Sequence, residues 1–132
     1  MIQTECGLVS IISNTYIDST NIITKLKKLQ HRGRESFGIS WFNNSFYVRK
    51  YDGLITDTHI DPYSDSYNNI ILSKYWLGHV RYSTSAKIQL SEYTQPILSK
   101  TFNYSLAHNG NIPSYVWPSI YKKYLFDISN SD

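Results

Sequence analysis

The chain has 132 residues, 41% hydrophobic and 15% aromatic against 17% charged, which excludes an array of domains and a disordered chain and suits one domain or part of one. Thirteen Lys and Arg against ten Asp and Glu leave a net charge of +3, too mild for the strongly basic face of a nucleic-acid binder. The excess gathers at Lys25, Lys27, Lys28, Arg32 and Arg34.

In chain order, Cys6 to Ser13 is an almost unbroken apolar run, CGLVSIIS, which predicts a core strand buried on both faces. A polar turn follows through Asn14 to Asp18. Ser19 or Thr20 then caps a helix with Ile22, Ile23, Leu26 and Leu29 at helical spacing and the lysines on a solvated face. His31 to Glu35 is polar and contains Gly33. Ser36 to Phe42 and Ser45 to Tyr51 read as two antiparallel strands joined at Asn43-Asn44 and ending at Asp52-Gly53. Asp57 to Asn69 is an irregular excursion. Tyr75 to Tyr82 is a further strand, Ser83 to Thr94 a polar loop, and Phe102 to Ala107 a strand that ends at His108-Asn109-Gly110. Val116 to Phe126 has helical spacing, with Pro118 tolerable only in its first turn.

No apolar run approaches the ~20 residues that cross a bilayer, and the first five residues lack the basic start and apolar centre of a secretory signal. A cytoplasmic protein without a membrane partner is expected. The lone cysteine, Cys6, excludes an internal disulfide framework and multi-cysteine zinc sites. No metal site is expected.

Three clusters could carry chemistry. A lone cysteine beside an apolar strand is more often an inert core residue, and nothing in the sequence selects His31, His59, His79 or His108 as its base. Cleavage between Glu5 and Cys6 would change this, because a free α-amine, with a pKa of ~7.7–8.0, can take the proton of a thiol of ~8.5. Gly78-His79-Val80-Arg81-Tyr82-Ser83-Thr84-Ser85 sets an arginine fork suited to a carboxylate at a strand end, or else a surface ion pair. Leu106 to Asn111 reads either as an ordinary Asn-Gly turn or as a loop that aims donors at an oxyanion. An RNA-binding reading, with tyrosines as stacking platforms, is disfavoured because the aromatics lie in strand-like segments that need them for a core.

Taken together, Cys6-Gly7, LQHRGRESFGIS at 29 to 40, GHVRYST at 78 to 84, Gln95-Pro96, LAHNGNI at 106 to 112 and Ser131-Asp132 closely resemble the amino-terminal glutaminase domain of the amidophosphoribosyltransferases, within the class II glutamine amidotransferases. The resemblance implies an α+β fold, the αββα sandwich of antiparallel sheets of the amino-terminal-nucleophile (Ntn) hydrolases, of which 6–132 would be the first part after a propeptide at 1–5. It implies hydrolysis of glutamine through a Cys6 thioester, as in the first step of de novo purine biosynthesis. Asn109 and Gly110 would form the oxyanion hole and Arg81 would clamp the α-carboxylate of glutamine. Tyr82 and Thr84 would line that pocket, Arg32 would orient the nucleophile and Asp132 would receive the α-amine. Glutamine is the expected partner, with a phosphoribosyltransferase domain or subunit as the user of ammonia and a homo-oligomer as a further expectation. Cofactors are not expected in this chain, since Mg2+ and phosphoribosyl pyrophosphate would belong to the phosphoribosyltransferase domain. The alternative is a non-catalytic remnant that binds glutamine or a protein without turnover.

Overall fold

The computed structural model describes residues 6–82, 94–99, 101, 103–110 and 115. Its centre is a four-stranded antiparallel sheet in the order β1 (Gly7–Ile17), β4 (Ser73–Arg81), β2 (Ser36–Asn43), β3 (Ser45–Asp52). One helix, α1 (Ser19–Leu29), lies on one face, and a two-stranded sheet of β5 (Ile97–Leu98) and β6 (Ser105–Leu106) lies on the other. The class is α+β, and the described residues form a helix–sheet–sheet stack.

Strand alternation sorts the residues between these layers. Gly7, Phe37 and Val80 share one register row, as do Val9, Ile39 and Gly78, and Ile11, Trp41 and Trp76. All face α1, whose Ile22, Ile23 and Leu26 are fully buried against them. Each such side chain withdrawn from water is worth about 1.5–3 kcal/mol. Gly78 admits the helix: a Cβ there would stand 2.6 Å from Leu26 Cδ1 and 3.1 Å from Ile22 Cγ1. Lys25 and Lys28 stay exposed as the helical spacing predicts, and Lys27 pairs with Asp57 at 2.6 Å.

The opposite row positions, Leu8, Ser10, Ser36, Gly38, Ser40, Leu77 and His79, face the second sheet. They are mostly small, so the β5–β6 segment approaches closely. Ser40 and Ser105 meet hydroxyl to hydroxyl at 2.6 Å, and the Thr94 hydroxyl donates to Ser36 Oγ at 2.7 Å.

Several expectations are corrected here. Among the described residues β1 is an edge strand of this sheet rather than a strand buried on both faces: Leu8 is 40% and Ile12 79% exposed. The expected turn at Asn14 to Asp18 is instead the continuation of β1 to Ile17, made possible by an irregularity of pairing between Ile12 and Ile17 that leaves Asn14, Thr15 and Tyr16 in solvent. The helix is capped by Asp18, whose carboxylate accepts from Thr20 N at 2.9 Å, rather than by Ser19 or Thr20. The β2–β3 hairpin has the predicted position, with Asn44 at φ 62° making the turn. Of the strand predicted over Phe102 to Ala107, Phe102 lies outside the described residues, and among 103–107 only Ser105–Leu106 is strand; β5 is an additional element. The propeptide at 1–5, most of the Ser83 to Thr94 loop and the helical spacing at Val116 to Phe126 lie outside the described residues.

Candidate active site

The site is built where the first strand begins and the central strand ends. Gly7 pairs with Val80, so Cys6 arrives beside Arg81 and Tyr82. The half-buried Cys6 thiol faces the Tyr82 backbone, accepting from its N–H at 3.4 Å and donating to its carbonyl at 3.6 Å. Arg32 closes the other side, its Nε–H donating to the Cys6 carbonyl at 3.2 Å. The nucleophile candidate is thus held by its backbone while its sulfur sits at a strand end rather than deep in the core.

Arg32 reaches this position because the chain turns sharply after α1. Gln30–Arg32 forms one turn of 3-10 helix, closed by Gly33 N–H to the Gln30 carbonyl at 3.1 Å. Gly33 then lies directly on the backbone of Arg81: a Cβ would fall 2.5 Å from Arg81 C and 2.8 Å from Arg81 N. Glu35 N–H donates to the Arg81 carbonyl at 3.2 Å. The His-Arg-Gly segment and the His-Val-Arg segment, 48 residues apart in sequence, are therefore welded at Gly33.

Asn109 and Gly110 are exposed in the loop that follows β6. Gly110 has φ +148°, a conformation that L side chains rarely adopt, and a Cβ there would meet the His108 ring at 3.1 Å. The loop is tied at His108 from both sides. The fully buried His79 presents Nε2 to the His108 carbonyl at 3.0 Å, and Gln95 Oε1 accepts from His108 N–H at 2.5 Å. Burial, followed by the charges of Arg81 and His108, lowers the His79 pKa to about 4 although the bond to His108 opposes the shift. His79 is accordingly neutral at pH 7, and its other nitrogen, Nδ1, is buried with no hydrogen-bond partner among the described residues.

Two hollows lie elsewhere. An apolar groove of about 530 Å³ runs along Ile12, Phe42, Tyr75 and Leu77 to Ser105, and an open hollow of about 600 Å³ at the hairpin end is lined by Trp41, Tyr47 and Asp65. Neither is lined by Cys6, Arg81 or Asn109. Among the described residues, no group of three His, Cys, Asp or Glu could hold a metal ion, and no helix is long and apolar enough to cross a membrane.

An amidophosphoribosyltransferase of Archaeoglobus fulgidus is 39% identical over 92 residues, covering 68% of this chain and 19% of that protein. Those of Haemophilus influenzae and Homo sapiens are 32% and 34% identical, each covering 84% of the chain and 21% and 23% of their own lengths. The chain is homologous to the amidophosphoribosyltransferases. It spans about a fifth of the length of these curated relatives. No protein-family model matches it.

Of the residues that the resemblance to amidophosphoribosyltransferases singled out, Cys6 contacts both Arg32 and Tyr82, and Arg81 adjoins them through Gly33. Asn109 and Gly110 connect to the same strand through His108 and His79. Thr84 and Asp132 lie outside the described residues. Three contributors were not singled out by the sequence: Gly33 as a spacer, and His79 and Gln95 as anchors. The Gly and Gln-Pro in the quoted motifs were the available signals, but neither carries a role until its neighbour across the fold is known.

Proposed function

We propose that this chain is the glutamine-hydrolysing part of an amidophosphoribosyltransferase-like enzyme of purine biosynthesis, acting through a thioester on Cys6. The observation that carries the reading is the meeting of Cys6, Arg32, Arg81 and Tyr82 at one end of the β1–β4 pair. Removal of residues 1–5 by hydrolysis of the Glu5–Cys6 peptide bond leaves Cys6 with a free α-amine. That amine takes the thiol proton, and the thiolate adds to the side-chain carbonyl carbon of glutamine. Asn109 and Gly110 donate to the oxyanion, a contribution for which one donor typically supplies ~3–4 kcal/mol. Collapse of the adduct breaks the C–N bond, and the amide nitrogen departs as ammonia with the proton that the amine had held. Water then attacks the γ-glutamyl thioester, releasing glutamate and restoring the thiol.

Arg81 holds the α-carboxylate with its two-pronged guanidinium, Tyr82 and Thr84 line the pocket, Asp132 holds the α-amine, and Arg32 fixes the backbone of the nucleophile. The ammonia is used by a phosphoribosyltransferase domain or subunit. The test is intact-mass analysis of the purified chain, reaction with a glutamine-mimicking diazoketone, and ammonia release with Cys6→Ala as the blank. The expected result is loss of residues 1–5, one label on Cys6 and ammonia release that Cys6→Ala abolishes. An uncut, unlabelled chain whose ammonia release equals that of Cys6→Ala would instead assign a non-catalytic remnant.

A further inference from the structure

Two bonds that hold His108 come from different parts of the molecule and converge on a single residue. His79 is on the central strand β4, on the face turned to the second sheet, where it is fully buried. Gln95 precedes β5. Its backbone lies over Gly38, the register neighbour of His79 on β2, so closely that a Cβ on Gly38 would overlap the Gln95 carbonyl. The bare backbone of Gly38 thus lets Gln95 settle on the sheet beside His79. From there the Gln95 carbonyl oxygen Oε1 receives the His108 N–H while the His79 ring meets the His108 carbonyl. The backbone of His108 is fixed at both its N–H and its C=O, and the next two residues are Asn109 and Gly110.

A backbone carbonyl only accepts, so His79 must carry its proton on Nε2 and leave Nδ1 bare. Among the described residues Nδ1 has no partner, and burying such an atom is costly. The sheet tolerates that cost at a position where a leucine or valine would pack without it. A purely structural role does not call for an imidazole here, whereas a donor aimed at His108 does.

We infer that His79 and Gln95 are positioning residues for the Asn109–Gly110 loop, fixing the direction in which its donors meet the oxyanion of bound glutamine. The inference rests on the glutaminase reading for its catalytic consequence, but the anchoring itself can be measured without turnover. His79→Leu removes the donor at similar size, Gln95→Leu removes the opposing acceptor, and His79→Gln returns an N–H donor on a side chain of comparable reach. Backbone hydrogen exchange of the full chain should accelerate at residues 108 to 110 in His79→Leu and Gln95→Leu, with exchange in α1 and β2 unchanged, and should slow again in His79→Gln. Where ammonia release depends on Cys6, kcat should fall by at least about tenfold in both leucine variants while KM for glutamine stays within about twofold. His79→Gln should recover most of the rate. Iodoacetamide, which needs only the thiol, should react with Cys6 at the wild-type rate in all three variants. Wild-type exchange at 108 to 110 in both leucine variants would overturn the inference, as would faster loop exchange accompanied by wild-type kcat. Wild-type protein without Cys6-dependent ammonia would refute the glutaminase reading instead, and hydrogen exchange would still decide the anchoring.

Discussion

Gly33→Ala tests the weld between the two halves of the site. The new methyl carbon would begin 2.5 Å from Arg81 C, 2.7 Å from its carbonyl oxygen and 2.8 Å from its nitrogen, all backbone atoms, against the 3.4 Å at which ordinary contact begins. No side-chain rotation relieves this, so the segment at Gly33 and the end of β4 must part by about 0.9 Å. The Glu35 N–H to Arg81 carbonyl bond, already 3.2 Å long, is lost at that displacement, and the Arg32 bond to the Cys6 carbonyl, also 3.2 Å, is strained with it. Overpacking of this kind costs about 1–3 kcal/mol of stability. A displacement near 1 Å between reacting groups can cost about 100-fold in rate. The expected outcome is a folded variant with a lower urea midpoint and diazoketone labelling of Cys6 slowed far more than the stability loss accounts for. A Gly33→Ala protein that labels and turns over at the wild-type rate would refute the claim that close contact at Gly33 sets the geometry around Cys6.

Gly78→Ala, one strand position from His79 but facing α1, should lower stability by about 1–3 kcal/mol in urea unfolding, because its Cβ meets Leu26 at 2.6 Å, while Cys6 alkylation stays unchanged. Acid should weaken the fold through His79. Its folded pKa of about 4 lies below the ordinary 6.5, so the unfolded chain binds the extra proton between these values. The residue therefore has no effect on stability above pH ~6.5, and below it stability falls by an amount that approaches ~3 kcal/mol near pH 4. Urea unfolding across this range should show a shallower acid loss in His79→Gln than in wild type, and equal slopes would refute the assignment.

The parts of the fold that were legible in sequence are those governed by local periodicity. The α1 apolar stripe, the Asn43-Asn44 reversal and the β2–β3 pair each follow from residues no more than sixteen positions apart. The position of β1 at the sheet edge was not legible, because an apolar run such as CGLVSIIS looks the same whether one or both sides of the strand are covered. Its alternate residues separate only once β4 fixes the register: Val9 and Ile11 turn to α1, Leu8 and Ile12 away from it. Likewise the polar residues Asn14 to Tyr16 suit either a turn or an exposed strand end, and only the pairing of Ile17 with Ser73 selects the second. In the site, Cys6, Arg32 and Arg81 carry chemical types that single them out. The bonds of His79 and Gln95 to His108 span 29 and 13 residues and join side chain to backbone, so no spacing rule shows them.

The central strand also explains how one short segment serves both core and site. Along Gly78-His79-Val80-Arg81 the pleat turns Gly78 and Val80 to α1, where the first admits the helix and the second fills the space beside Phe37. His79 and Arg81 belong to the other face, the one holding the second sheet and the Asn109–Gly110 loop. Cys6 continues the β1 row opposite Arg81, since each step back from the Leu8–His79 pair advances one step along β4. A loop anchor, a carboxylate-binding cation and the nucleophile thus occupy one side of one strand pair because their positions have the same parity. A slip of one residue in the β1–β4 register would send Cys6 toward the helix and leave Arg81 facing a different partner, abolishing the site while changing the backbone pairing very little. The tight contacts at Gly7 on β1 and Gly78 on β4 oppose that slip, because at each a shifted neighbour would bring a side chain where only hydrogen fits.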